Sequence, residues 1–366
     1  MSTILKDLYF SAEFITEFAD IIRKTDPKLN HKKFISFNID TNWDNKSLKE
    51  RMHNIALALH EILPNKYPEA INILNNISKQ THNFGRLSNF AYIIFPHYVS
   101  LYGLNDWDIS INALENYTQI SSAEFAVRPF IVQDQERMLK QMLTWSKHQN
   151  YHVRRLSSEG TRPRLPWGQH LNELIKDPTP IIPILENLKT DPTEYVRKSV
   201  ANNLNDITKD HPKKVIAIAK EWYGEDSLTD HLLKRACRNL LKSGNQEILE
   251  LFNVGNSQDI KLLNFNLNKK SIKLGEKIEI DFSLDLKNYP EKFLRIEYAI
   301  DFARNNNKSA KKIFQIGHKA NNKSIFNCQK KHIFKDLSTR KHYKGKHKIS
   351  LIVNGMNFAN QEFDII

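Results

Sequence analysis

The sequence predicts a chain of two parts, α then β. Residues 1–255 read as an α-solenoid of HEAT-like repeats, and residues 256–366 as an immunoglobulin-like β-sandwich. Three observations predict this. As far as about residue 252, apolar residues recur at helical spacing and almost nowhere alternate with polar ones. Within that stretch a short motif returns. Tyr151-His-Val-Arg-Arg-Leu, Tyr195-Val-Arg-Lys-Ser-Val and His231-Leu-Leu-Lys-Arg-Ala place Arg154, Arg197 and Lys234 at intervals of 43 and 37 residues. Such intervals suit a two-helix solenoid repeat. After Gly255 the period falls to two, with Asn, Gly and Pro between short alternating runs.

The helices can be justified in order. Residues 5–24 form an amphipathic pattern in which Leu8, Phe14, Ile15, Phe18 and Ile22 share a face, and Pro27 closes it. Ser47 is placed to cap a helix over 48–63, with Met52, Ile55, Ala56 and Leu59 inward and Pro64 as its stop. Pro68 opens the next, over 69–78, and further helices are predicted over 90–102, 108–118 and 136–147. Another ends near Leu156, with Val153 and Leu156 inward and Gly160 as a natural stop. In a repeat stack, Arg154, Arg197 and Lys234 would line one face as a positive track.

In the β part, strands are predicted over 261–267, 277–286, 293–302, 312–317, 330–334 and 346–353. Six or seven short strands suit an immunoglobulin-type sandwich, here without the cysteine pair of antibody domains. The intervening loops 304–312 and 338–348 are basic enough to grip phosphates.

The formal net charge is +13, with pI about 9.4, which points to nucleic acid or another acidic partner. Residues 257–366 hold 22 Lys and Arg against 11 Asp and Glu, so the first 256 residues are almost neutral overall. Cys237 and Cys328 form no CxxC or ligand spacing, which fits a reducing compartment. No signal peptide and no membrane-length apolar run are read, so a soluble cytoplasmic protein is expected. His148 and His152 are four apart, but Asn150 signals a turn between them and no third ligand is near; no metal site is read.

Two dense stretches could carry chemistry. Residues 151–167 gather Arg154, Arg155, Arg162, Arg164, Glu159, Gly160, two prolines and Trp167. Pro163 and Pro166 stiffen the backbone there, giving a rigid basic strap with an aromatic tip that asks for a polyanion. Upstream, Ser121-Ser-Ala-Glu-Phe-Ala-Val-Arg-Pro-Phe sets Glu124 among small and apolar residues, with Arg128 one helical turn later. A carboxylate in such company is either a poised group or a surface partner of Arg128. Asp206 ends a repeat helix and could equally be a turn aspartate.

These residues carry a family resemblance. The runs Ser122-Ala-Glu-Phe-Ala-Val-Arg-Pro-Phe, His152-Val-Arg-Arg and Glu159-Gly-Thr-Arg-Pro-Arg-Leu-Pro-Trp, with the Leu104-Asn-Asp-Trp-Asp segment before them, resemble the AlkC branch of the HEAT-like-repeat DNA glycosylases. Leu48-Lys-Glu-Arg and Tyr67-Pro-Glu-Ala fall where that family expects them, and departures are small swaps such as Ser157. The resemblance covers most of the first 256 residues, and the C-terminal part resembles the immunoglobulin-like domain of some members.

The resemblance implies an alkylbase DNA glycosylase of base-excision repair, acting on duplex DNA that contains 3-methyladenine or 3-methylcytosine. It implies Glu124 as the catalytic carboxylate, with Asp206 a second acidic group of the same cleft. Trp167 becomes the aromatic near the lesion, and Arg155 and Arg162 become DNA contacts. Arg154, Arg164 and Arg128 are weaker candidates, one or more of them open to structural ion pairing, and Arg197 and Lys234 remain DNA-contact candidates from the repeat track. No metal or cofactor is implied, because a cationic base can leave unaided. The alternatives are a non-catalytic solenoid that binds damaged or bent DNA, and a protein-interaction scaffold. Glu124 separates the first two, since a pure binder needs no carboxylate at the lesion.

Overall fold

Ser11 breaks the first predicted helix in two. In the computed structural model, which describes residues 2–80, 88–255, 257–289, 293–304, 309–320, 324–337 and 340–366, the Ser11 hydroxyl accepts the Phe14 N–H at 3.2 Å. Helix Ala12–Thr25 therefore starts afresh after helix Ser2–Tyr9. The break resets the helical phase, so Ile15, Phe18 and Ile22 are buried while Leu8 is 44% exposed. Ser47 does cap helix Leu48–His60, through a capping box with Glu50.

Helix Tyr67–Gln80 follows, and the pattern predicted over 90–102 resolves into Ser88–Ala91 and Ile94–Tyr102. Next come Trp107–Tyr117, then Val127–Gln133, which the sequence pattern did not predict. That short helix tolerates Pro129 because it lies in the first turn, where backbone N–H groups have no partner within the helix. Helix Gln135–Trp145 comes next.

The chain divides into two compact units. One comprises 1–211 with 226–236, the other 212–225 with 237–366. In the first, the three helices that carry the recurring motif are successive neighbours. Tyr151–Glu159 packs on Glu194–Ile207, which packs on Ser227–Ala236. Val153, Leu156, Val196, Val200 and Leu233 are fully buried in these contacts, each contributing about 1.5–3 kcal/mol of transfer free energy. Gly160 caps Tyr151–Glu159 with φ −64, so it is not there for left-handed geometry. Space requires it: a Cβ would lie 2.6 Å from Val127 Cγ2.

The second unit carries eight strands among the described residues, against six or seven expected: β1 Lys261–Leu267, β2 Ser271–Ile272, β3 Lys277–Asp285, β4 Phe293–Ala303, β5 Ser309–Ala320, β6 Ile325–Ile333, β7 Gly345–Val353 and β8 Met356–Ile365. They form a three-stranded sheet, β1-β3-β6, and a five-stranded one, β2-β8-β7-β4-β5. All pairings are antiparallel except β2 with β8. Ile278, Ile280, Phe282 and Leu284 of β3 and Ile349, Leu351 and Val353 of β7 alternate into one core.

Polar β8 gave little alternation to read. Its signal was the turn Asn354-Gly355, with φ 46 and 80, which joins it to β7 as a two-residue hairpin. Gly355 is needed twice over there, since an added Cβ would also stand 2.5 Å from Gly244 Cα. Of the expected loop 304–312, residues 309–312 lie in β5, and 305–308 fall outside the described residues, as do 338 and 339 of the second basic loop.

Candidate active site

Glu124 sits in the turn between helices Trp107–Tyr117 and Val127–Gln133. Its N–H donates to Ser122 Oγ at 3.3 Å, and that hydroxyl donates back to Glu124 Oε2 at 2.8 Å. Arg155, from helix Tyr151–Glu159, donates through Nη1 to the same Oε2 and to Ser122 Oγ, the latter at 2.7 Å. The carboxylate is thus held by a local turn and a neighbouring helix together. Its side chain keeps 17% exposure. Both hydrogen bonds that the carboxylate accepts here, from Ser122 and from Arg155, fall on Oε2.

From Arg155 the charges alternate. Its Nη2 lies 3.6 Å from Glu159 Oε1, and the same oxygen accepts Arg162 Nη1 at 2.6 Å. Arg162 Nε then donates to Asp206 Oδ2 at 2.8 Å, and Lys209 reaches Asp206 Oδ1 at 3.1 Å. Burial works against the charges of Arg155 and Arg162. Glu159, aided by Glu124 at one and Asp206 at the other, offsets this and holds both guanidinium pKa values above the ordinary range. The ladder Glu124–Arg155–Glu159–Arg162–Asp206 therefore alternates carboxyl groups with guanidinium groups. Such partly buried pairs are stable only because each charge has its counter-charge.

Beside the ladder lies a cavity of about 280 Å³ lined by Phe90, Thr118, Ile120, Ser121, Ser122, His152, Arg155 and Tyr195. The Arg155 guanidinium stands 4.9 Å from the Tyr195 ring centroid. Burial and the nearby Arg155 lower the His152 pKa, so its imidazole is a neutral donor and acceptor.

Arg128 does not pair with Glu124 as its spacing allowed. It is fully buried, and donates through Nη1 to Gly160 O at 2.9 Å and through Nε to Gln169 O at 2.5 Å. Burial, then the Arg162 charge, lowers its pKa to about 10. Trp167, between those two carbonyls in sequence, is 65% exposed with φ 66. Its carbonyl accepts from Lys49.

The remaining sequence candidates sort themselves by partner. Arg154 makes two hydrogen bonds to the buried Asp191 carboxylate, at 2.6 and 3.2 Å, and Arg197 donates to the Asp191 carbonyl at 2.5 Å. Two members of the expected basic track thus secure one turn. Arg164 makes two hydrogen bonds to Asp210, at 2.8 and 2.9 Å. Lys234 lies in the last turn of helix Ser227–Ala236. The strap is therefore not a row of bare cations: each of its four arginines faces a carboxylate. Asn150 caps helix Tyr151–Glu159 by accepting the His152 N–H at 2.8 Å, which places His148 outside that helix.

Sequence reasoning gave no role to Glu159, Ser122 or Tyr195. The signal for Glu159 was its place four residues after Arg155 and three before Arg162, the spacing of ion pairs on a helix. The signal for Tyr195 was the repeat, which sets it opposite His152; the two rings lie 6.1 Å apart.

Residues 112–247 match the family model described as DNA alkylation repair enzyme, and residues 261–366 match the C-terminal Ig-like domain of the uncharacterised protein YhaZ. The chain is 45% identical over 365 residues to the uncharacterized protein YhaZ of Bacillus subtilis (strain 168), covering 99% of each. Among solved structures it is similar to the Pseudomonas fluorescens alkylpurine DNA glycosylase AlkC bound to DNA containing an abasic site analog. That match has a TM-score of 0.93 and 35% identity, and covers 99% of both chains.

Proposed function

Because the chain belongs to the DNA alkylation repair enzyme family, in its AlkC-type form with a C-terminal immunoglobulin-like domain, we propose that it is an alkylbase DNA glycosylase. In this reading it acts as a monomer on duplex DNA that contains cationic bases such as 3-methyladenine and 3-methylcytosine. The N-glycosidic bond breaks with its electron pair passing to the base, which cancels the base's own positive charge. No general acid and no cofactor is needed for departure. Positive charge develops on the sugar instead, and the enzyme's task is to oppose it and to deliver water to C1′.

The observation that carries this reading is the Glu124 carboxylate, oriented through Oε2 by Ser122 and Arg155 while the side chain keeps access to solvent. A fixed carboxylate beside a developing cation stabilises it without reorganisation, and it can take the proton of the attacking water. Trp167 supplies an exposed apolar face for the lesion. Asp206 is 2% exposed and engaged with Arg162 and Lys209, so its part is to hold the ladder rather than to meet the sugar. Arg155 and Arg162 set the charge of the site, and phosphate contact falls first to Arg164, the most exposed arginine of the strap at 31%.

Glu124→Gln keeps the shape and removes the charge. It is expected to lower single-turnover release of 3-methyladenine from methylated DNA by roughly 100-fold or more, while binding to an abasic-site analogue changes little. Retention of the full excision rate would overturn the assignment.

A further inference from the structure

We infer that Arg128 is a positioning residue for Trp167, a buried brace that closes residues 160–169 into a ring and holds the indole out in solvent. One guanidinium takes the carbonyls at both ends of that segment, Gly160 O at 2.9 Å and Gln169 O at 2.5 Å. The ring is tightened from inside by Gly168 N–H to Leu165 O at 3.1 Å, and from just beyond by Leu171 N–H to Pro163 O at 3.1 Å. The backbone after the tryptophan lies against the brace: a Cβ on Gly168 would stand 3.3 Å from Arg128 Nε and 3.1 Å from Leu165 Cδ2. At the tip Lys49 takes the Trp167 carbonyl, and its ammonium sits 5.9 Å from the Phe125 ring centroid, next to Glu124.

The geometry at Trp167 needs such a frame. A φ of 66 in a bulky residue is strained. An indole left 65% exposed gains little burial in return. Released, the segment would relax toward ordinary dihedrals and lay the ring on the surface. The brace is itself costly. Arg128 is fully buried, its two hydrogen bonds go to neutral carbonyls, and its Nη2 has no partner among the described residues. A lysine could reach one carbonyl but not span two, because only the planar fork presents donors in fixed, divergent directions. Sequence spacing offered Arg128 to Glu124, whereas the fold uses it on the strap.

The inference rests on the reading of Trp167 as the lesion-facing aromatic, and its test separates the two. Trp43, Trp145 and Trp222 are 4%, 1% and 1% exposed and Trp107 is half-buried, so of the fluorescence that iodide quenches in the full chain, only the part that Trp167→Phe removes reports on Trp167. Arg128→Met is expected to cut that iodide-accessible component at least by half, and Arg128→Lys and Lys49→Met to shift it in the same direction, less far. Should Arg128→Met not fold, the two milder variants carry the measurement.

On methylated DNA, Arg128→Met should lower kcat/KM by roughly 10- to 100-fold, yet by less than about twofold when Trp167 is already alanine, because residues that act through one another are not additive. Unchanged quenching in all three variants, or equal losses with and without Trp167, overturns the brace. Full excision by Trp167→Ala with altered quenching in the brace variants instead overturns the lesion role and leaves the brace standing.

Discussion

Positive charge is handled in opposite ways in two regions of the molecule. In residues 151–167 it is dense and already matched: Arg154 meets Asp191, Arg155 meets Glu124 and Glu159, Arg162 meets Glu159 and Asp206, and Arg164 meets Asp210. In residues 257–366 it is spread out and in excess, with 19 lysines and 3 arginines against 11 acids. Its lysine ion pairs there, such as Lys269–Glu276 and Lys346–Glu362, are largely exposed, whereas its one arginine pair among the described residues, Arg295–Glu297, is buried. The residue types follow the use. Arginine's fork suits fixed, partly buried pairing, whereas lysine is a mobile point charge suited to attraction at a distance. Density of charge in a sequence is thus a poor guide to available charge; what decides is whether each cation has a counter-ion within hydrogen-bond reach.

The hardest way to break this contrast is to remove a matched charge from the buried side. Asp206→Asn leaves Arg162, 9% exposed, with Glu159 alone and without the second carboxylate that balanced it. Loss of one partner from a buried pair costs about 3–5 kcal/mol, read as a lower urea midpoint with an unchanged slope. A loss under about 1 kcal/mol would mean that the ladder is solvated and that the two regions do not differ in kind.

The same contrast explains what could be read from the sequence. The change of period at Gly255 set out helices and then strands, and the interval from Arg154 to Arg197 pointed to helices Tyr151–Glu159 and Glu194–Ile207, which do pack together. Local signals failed where a single side chain decided the matter, as at Ser11, or where a polar strand followed a turn, as at β8. Of the site, Glu124 and the strap were legible as unusual strings. Their wiring was not, because every arginine of the strap takes its carboxylate wholly or partly from more than 30 residues away, Arg162 dividing between nearby Glu159 and distant Asp206. Arg128 shows the limit most clearly. A spacing of four from Glu124 argued for a helix-surface pair, but the intervening turn carries Glu124 off the helix, and burial turns Arg128 toward backbone carbonyls.

A smaller effect is expected from the unmatched side. Lys311→Gln, Lys341→Gln and Lys344→Gln, combined in the full chain, remove three exposed charges from the β unit. If that excess meets the duplex, the slope of log Kd for undamaged DNA against log salt should fall by up to about 3, since each phosphate contact contributes about 0.9. The thermal midpoint should hardly move. An unchanged salt slope would mean that these lysines serve solubility alone and that the contrast carries no consequence for binding.

The smallest effect is the most discriminating, because Arg164 stands between the two regimes. It is paired like its neighbours, yet it is 31% exposed and its partner Asp210 28%. Asp210 is held below the usual carboxylate range by that hydrogen bond, so the pair stays ionised at neutral pH. An exposed pair contributes little to stability, and Arg164→Gln should leave the thermal midpoint within experimental scatter. A phosphate can compete with Asp210 for the guanidinium, because both present oxygens that the planar fork accepts two at a time. Arg164→Gln should then lower the salt slope of DNA binding by about 1 and weaken damaged and undamaged duplexes alike. A selective loss on damaged DNA would place Arg164 at the lesion instead, and no loss at all would leave it bound to Asp210 as firmly as Arg162 is to Asp206.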